Sequence, residues 1–158
     1  MQKIDYINYK KPTDYIKFSQ GDNRIRIITS GAVGYSHGIR TARGYKPLGL
    51  CRGDDCPHCK KGVEAKRTWR WIAYDFTDED VKLLDAGVQV GNGICELAAK
   101  LQDDPQNFDI IIHKTGEKRD ANYLVTKAKD EKLMSKKDLS AKKRYLISKY
   151  FKPKDEGK

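Results

Sequence analysis

The sequence lacks any long apolar run. No stretch approaches the twenty or so residues that a membrane-spanning helix needs, so no membrane partner is expected. Met1-Gln2-Lys3-Ile4-Asp5-Tyr6 has no apolar core of the signal-peptide kind, and a cytoplasmic location is the expectation. Internal repeats and low-complexity linkers are missing as well. No phosphate-cradling glycine loop, Ser-His-Asp set or paired-carboxylate constellation is legible, which argues against an enzyme. Apolar residues are sparse at 38%, whereas charged residues reach 34%. A chain of 158 residues still suffices for one domain with a real core and a small metal-held part.

Cysteine is scarce too, with four in all, but three of them fall in Cys51-Arg52-Gly53-Asp54-Asp55-Cys56-Pro57-His58-Cys59. Two disulfides are conceivable from an even count. Clustering in a chain with no secretion signal favours a metal instead. Thiolate and imidazole are the ligands that zinc prefers, and four of them close a structural tetrahedron. Cys-x-x-Cys spacing lets one tight turn present two sulfurs, with Pro57 fixing φ and Gly53 giving freedom before it. The fourth ligand is His37 or His58. His58 lies between two ligand cysteines, where a side chain usually points away, so His37 on a separate segment is favoured. One structural Zn2+ held by His37, Cys51, Cys56 and Cys59 is therefore expected. Cys95, within Ile94-Cys95-Glu96-Leu97-Ala98, reads as a small core residue.

The net charge of +10 is unevenly spread. Residues 24–70 hold eleven Lys/Arg against three Asp/Glu, and residues 71–126 hold five against eleven. Such asymmetry is the footprint of a polyanion-binding surface with an acidic face turned away. The basic candidates are Arg24, Arg26, Arg40, Arg43, Lys46, Lys60, Lys66 and Arg67. Rings are interleaved with them at Tyr45, Trp69, Trp71 and Tyr74, with Tyr35 and Phe76 nearby. Cations neutralise phosphates and flat rings stack on unpaired bases, so this pairing suits single strands better than duplex. Trp69 and Trp71 share one strand face while Arg70, Ile72 and Tyr74 share the other, and each tryptophan reads equally well as core.

The element pattern is mostly β. Strands are expected at 23–29, 66–77, 80–85, 108–115 and 121–128, and the glycines leave 35–46 as a hairpin or loop. Ile94, Leu97, Ala98 and Leu101 recur at helical spacing until Pro105. Ser135 with Asp138 resembles a capping box opening a basic final helix to about Phe151. Its charge run reads as a solvated face.

These parts occur in a telling order: Asp22-Asn23-Arg24-Ile25-Arg26-Ile27, a histidine, the knuckle running into Lys60-Lys61-Gly62, and Lys66-Arg67-Thr68-Trp69-Arg70-Trp71. Val81-Lys82-Leu83-Leu84, a helix and Phe108-Asp109-Ile110-Ile111-Ile112-His113-Lys114-Thr115-Gly116 complete it. Over residues 15–128 the set resembles the zinc-containing single-stranded-DNA-binding proteins of tailed bacteriophages. The resemblance implies a five-stranded oligonucleotide-binding (OB) barrel over 21–128 with a zinc subdomain at about 35–65. It is preceded by a segment at 1–20 and followed by a basic helix and tail at 129–158.

The same resemblance implies a cleft between barrel and subdomain that holds single-stranded DNA, lined by Lys66, Arg67, Trp69 and Trp71. The role it implies lies in replication, recombination and repair within an infected cell. Implied partners are other replication proteins and further copies along the strand. The family's acidic tail has no counterpart in Lys152-Pro153-Lys154-Asp155-Glu156-Gly157-Lys158. Residues 1–20, with Tyr6, Tyr9 and Tyr15, read as an edge segment, a loose terminus or an arm between copies. The competing reading is a zinc-ribbon regulator or RNA-binding module without single-strand preference.

Overall fold

The alternation at Asn23 to Ile27 becomes a strand in the computed structural model, which describes residues 1, 3–9, 13–134 and 139–152. This strand, β1 (Gly21–Ile27), buries Asn23, Ile25 and Ile27 and turns Arg24 and Arg26 to its other side. β2 (Ala32–Thr41) and β3 (Gly44–Leu50) form a hairpin, one of the two forms expected for 35–46. A single turn, α1 (Pro57–Lys60), opens on Pro57. β4 (Ala65–Asp75) and β5 (Asp80–Ala86) then pair, followed by α2 (Val88–Leu101). The last hairpin is β6 (Ile110–Thr115) with β7 (Asn122–Lys127), and α3 (Ser140–Tyr150) closes the described chain. α2 begins at Val88, before the Ile94 at which the apolar period starts in the sequence, because Gly91 and Gly93 carry no apolar side chain to mark its first turns. The capping box expected at Ser135 and Asp138 lies outside the described residues.

β4 is the centre of the sheet. Its outer half pairs with β2, from Ala65 opposite His37 to Arg70 opposite Ala32. On the same edge its inner half pairs with β1, from Ala73 opposite Ile27 to Asp75 opposite Ile25. The chain steps between these two partners at Ile28, whose N–H donates to Ile72 O at 2.9 Å, and Thr29, whose Oγ1 accepts from Ile72 N at 2.9 Å. β5 takes the other edge, and β6 and β7 continue the sheet beyond β1.

The result is mainly β, but it is a seven-stranded open antiparallel sheet rather than a closed five-stranded barrel. Two reasons are visible. The stretch left as hairpin or loop adds two strands. The outer edge of β5, which would have to meet β7 to close a barrel, is occupied by the N-terminal segment. Ile16 N donates to Leu83 O at 2.9 Å, and Leu83 N donates to Asp14 O at 2.6 Å.

Both faces of β4 and β5 are buried, so each packs a separate core. Trp69, Trp71, Ala73, Leu84 and Ala86 face Ile25, Ile27, Ile94, Phe108, Ile110 and Ile112. Ile72, Tyr74, Val81 and Leu83 face Leu146 and Tyr150 of α3. Burying a large apolar side chain is worth about 1.5–3 kcal/mol. Leu146 and Tyr150 therefore pin the C-terminal helix onto the sheet. Polar bonds fix its register: Arg70 Nη1 donates to Tyr150 O at 2.6 Å, and Tyr150 Oη donates to Asp14 Oδ2 at 2.7 Å. That bond from Tyr150 also lowers the pKa of Asp14. Among the described residues no helix is long and apolar enough to cross a membrane.

Two glycines admit the tryptophans. A Cβ on Gly91 of α2 would overlap the Trp69 ring, and one on Gly31 would overlap the Trp71 indole. In a helix interior Gly→Ala ordinarily gains about 1 kcal/mol. Overpacking against a fixed indole costs about 1–3 kcal/mol, so the clash should win. Gly91→Ala should therefore lower the urea midpoint, while Gly34→Ala, which meets open space, should leave it nearly unchanged. A Gly91→Ala protein as stable as the parent would show that α2 does not press on Trp69.

Candidate metal centre and its basic wing

The first residues of β4 lie beyond the two cores. From Ala65 to Arg67 the strand forms a small wing with β2, β3 and the knuckle, and this wing has almost no apolar interior. Val33, Tyr35, Ile39 and Tyr45 are all exposed, and the buried side chains here are His37 and Cys56. Something other than hydrophobic burial must hold these segments together.

His37 and the knuckle meet that need. His37 Nε2 and the sulfurs of Cys51, Cys56 and Cys59 all lie within 4.8 Å of one another. Cys51 Sγ and Cys59 Sγ are 3.5 Å apart, and His37 Nε2 is 3.4 Å from both Cys56 Sγ and Cys59 Sγ. A tetrahedron with metal–sulfur bonds of about 2.3 Å has sulfur–sulfur edges of about 3.8 Å, so the donor set fits one ion.

The surroundings prepare each ligand. The Glu64 carbonyl oxygen can only accept, so His37 Nδ1, 3.1 Å away, carries the proton and Nε2 keeps its lone pair for the ion. Backbone hydrogen bonding from Arg52, helped by Cys59 and His58, brings the Cys56 thiol down to about 6. Its neighbour Cys59 is pushed up to about 11, first by its bond to Cys51 and then by desolvation. The two move in opposite directions because three crowded sulfurs cannot all be thiolates without a cation among them. A bound ion reverses that logic and deprotonates its thiols outright.

The geometry thus decides between the two histidines. His37 is in the donor cluster, and the ring of His58 lies 5.5 Å from it, centroid to centroid, with its nitrogens outside the cluster. Cys95 stands apart on α2, where it is exposed rather than in the core. The Glu64 carbonyl could not have been anticipated, since a backbone acceptor leaves no mark in residue types.

The twelve residues expected at a nucleic-acid surface are distributed over four environments. Arg40, Arg43, Tyr45 and Lys46 on the β2–β3 hairpin, Lys60 after the knuckle, and Lys66 and Arg67 at the start of β4 are all exposed on the wing. Arg24 and Arg26 are mostly covered. Arg24 pairs with Asp109 at 2.7 Å and Asp130 at 3.0 Å, and Arg26 pairs with Asp109 at 3.3 Å and Glu131 at 3.8 Å. The Arg24 guanidinium holds the Asp130 carboxyl below the usual carboxylate range. Tyr74 is 1% exposed within the α3 core, with no ring face to offer. Trp69 and Trp71 belong to the other core at 7% and 5% exposure, and their open edges border a groove between β2, β4 and α2. The α2 side of that groove went unread in the sequence, because Ile94 and Ala98 look like ordinary helix core.

No family model matches this chain, and no curated protein or solved structure matches it either.

His37→Ala should abolish stoichiometric metal in natively purified protein, whereas His58→Ala should retain it. Acidification should release the ion, since protons compete for the thiolates and imidazole. Elemental analysis of both variants provides the check. Equal metal content in His37→Ala and the parent would remove His37 from the ligand set.

Proposed function

We propose that this protein binds single-stranded DNA with little sequence preference, acting by occupancy rather than catalysis, with zinc as the metal that braces the wing. One observation carries this reading. Off the wing the covered cations are neutralised: Arg24, Arg26, Arg70 and Lys82, and with them Lys142 and Lys149, pair with carboxylates, while exposed Lys100, Arg119 and Lys127 stand apart from one another. On the wing, Arg40, Arg43, Lys46, Lys60, Lys66 and Arg67 form no ion pair among the described residues. Exposed Tyr35 and Tyr45 stand among them, at 54% and 59% exposure. Unneutralised cations with open rings are what a single strand offers phosphates and bases to. A closed set of three thiolates and one imidazole leaves no coordination position for activated water, which favours structure over chemistry at the ion.

The OB-type reading of the fold belongs to this proposal. β5, β4, β1, β6 and β7 are five antiparallel neighbours, α2 follows the third of them in chain order, and the wing is inserted after the first. OB folds are partly open barrels that commonly bind oligonucleotides through their first loop. Here that loop is the whole wing. The wider role is the coating and protection of single strands during replication, recombination and repair, alongside other replication proteins and further copies of the chain.

The test is competition at one salt concentration. Labelled oligo-dT should be displaced by unlabelled single strand far better than by duplex of equal length. Arg40→Ala and Lys46→Ala should each weaken binding and lower the slope of log affinity against log salt by about one. Equal competition by duplex or RNA would favour instead a zinc-ribbon or RNA-binding module without single-strand preference.

A further inference from the structure

The groove beside the tryptophans has the chemistry of a seat for a flat apolar guest. Its volume is about 560 Å3, within the range of small-ligand sites. Val33 on β2, Trp69 and Trp71 on β4, and Ile94 and Ala98 on α2 form its walls. Arg67 stands at its wing end, two residues before Trp69. Asp104, the acid in the lining, belongs to the turn after α2 and caps it by accepting from Gln106 N at 2.8 Å.

Arg67 is the unusual part. Its guanidinium carbon lies 5.1 Å from the centre of the Trp69 ring. The residue is exposed and forms no ion pair among the described residues, so the weak attraction between a cation and a ring face is its main tie there. A nucleobase stacks on an indole with comparable or greater strength, and a guanidinium binds phosphate bidentately. The opposite face of β4 offers no such seat, since α3 covers Ile72 and Tyr74. Tyr35, directly opposite Arg67 in the β2–β4 register and half exposed, extends the path from groove to wing.

Building on the single-strand reading above, we propose that this groove takes one unpaired nucleobase of the bound strand. Arg67 yields its place over Trp69 to the base and moves to the adjoining phosphate. The strand therefore runs along the α2 side of β4, not the α3 side.

The two tryptophans are the only ones in the chain, so indole emission reports this groove alone. Binding is followed independently by anisotropy of an end-labelled oligonucleotide. Saturating oligo-dT should quench the emission, while an abasic strand of equal length should bind through its phosphates and leave the emission unchanged. Ala98→Phe, which fills the groove without altering charge, should weaken oligo-dT about tenfold and the abasic strand hardly at all. Arg67→Ala should make the free protein's emission more accessible to acrylamide and lower the salt slope by about one. It serves as the second variant should Ala98→Phe fail to fold.

Binding by anisotropy with unchanged emission at saturation would overturn the groove assignment while leaving the wider function intact. So would equal quenching by the abasic strand, or oligo-dT affinity unaltered in Ala98→Phe. Absence of any anisotropy change would remove the single-strand reading itself, and the groove assignment with it.

Discussion

The burial of β4 on both faces is the constraint on which the rest of this structure depends. From Trp69 to Asp75 every residue of that strand is buried. Its odd positions carry the core shared with α2 and β6, and its even positions carry the core under α3. A one-residue slip would exchange the two sets and put Arg70 among the isoleucines of the first core. The register to β5, with Trp71 opposite Leu84 and Ile72 opposite Leu83, is therefore specified twice over. Gly31 and Gly91 are consequences of that register, because they stand where the two indoles come closest.

Beyond Thr68 the same strand leaves its cores and enters the wing, where the source of stability changes. Apolar side chains there are exposed, and the donors of His37, Cys51, Cys56 and Cys59 converge instead. Metal binding supplies folding free energy that a small subdomain cannot obtain from burial. This exchange frees the wing's surface. With no large core to cover, the hairpin can present Arg40, Tyr45 and Lys46 outward without carboxylate partners among the described residues. In the main body Asp109 anchors two arginines, and its carboxyl is wholly buried between them. The covered cations of the main body are thus neutralised, whereas the cations gathered around the donor cluster on the wing are exposed and form no ion pair among the described residues.

That division also gives the groove its position. β4 crosses from one regime to the other between Arg67 and Trp69. There Arg67, exposed and in no ion pair among the described residues, adjoins a buried ring, and α2 and the β1–β2 step provide walls. A strand held by the wing's cations would pass directly over this boundary.

Much was legible in the residues themselves. The ligand types and spacing of the knuckle, the strand character of β1, β4, β6 and β7, and the basic bias of residues 24–70 all follow from local chemistry. So does the mainly β class, because alternation and turn residues act over a few positions. What tertiary structure alone decided depends on which segments meet across long separations. The separate segment of His37 already favours it over His58, and the convergence of β2 with the knuckle is what brings its nitrogen to the sulfurs. Tertiary structure paired Arg24 and Arg26 with Asp109, eighty-five and eighty-three residues away. It buried Tyr74 under α3, and it kept the sheet open by giving the outer edge of β5 to residues 14–16. Composition can count cations and rings, but whether each is neutralised or exposed is fixed by the partner that folding places beside it.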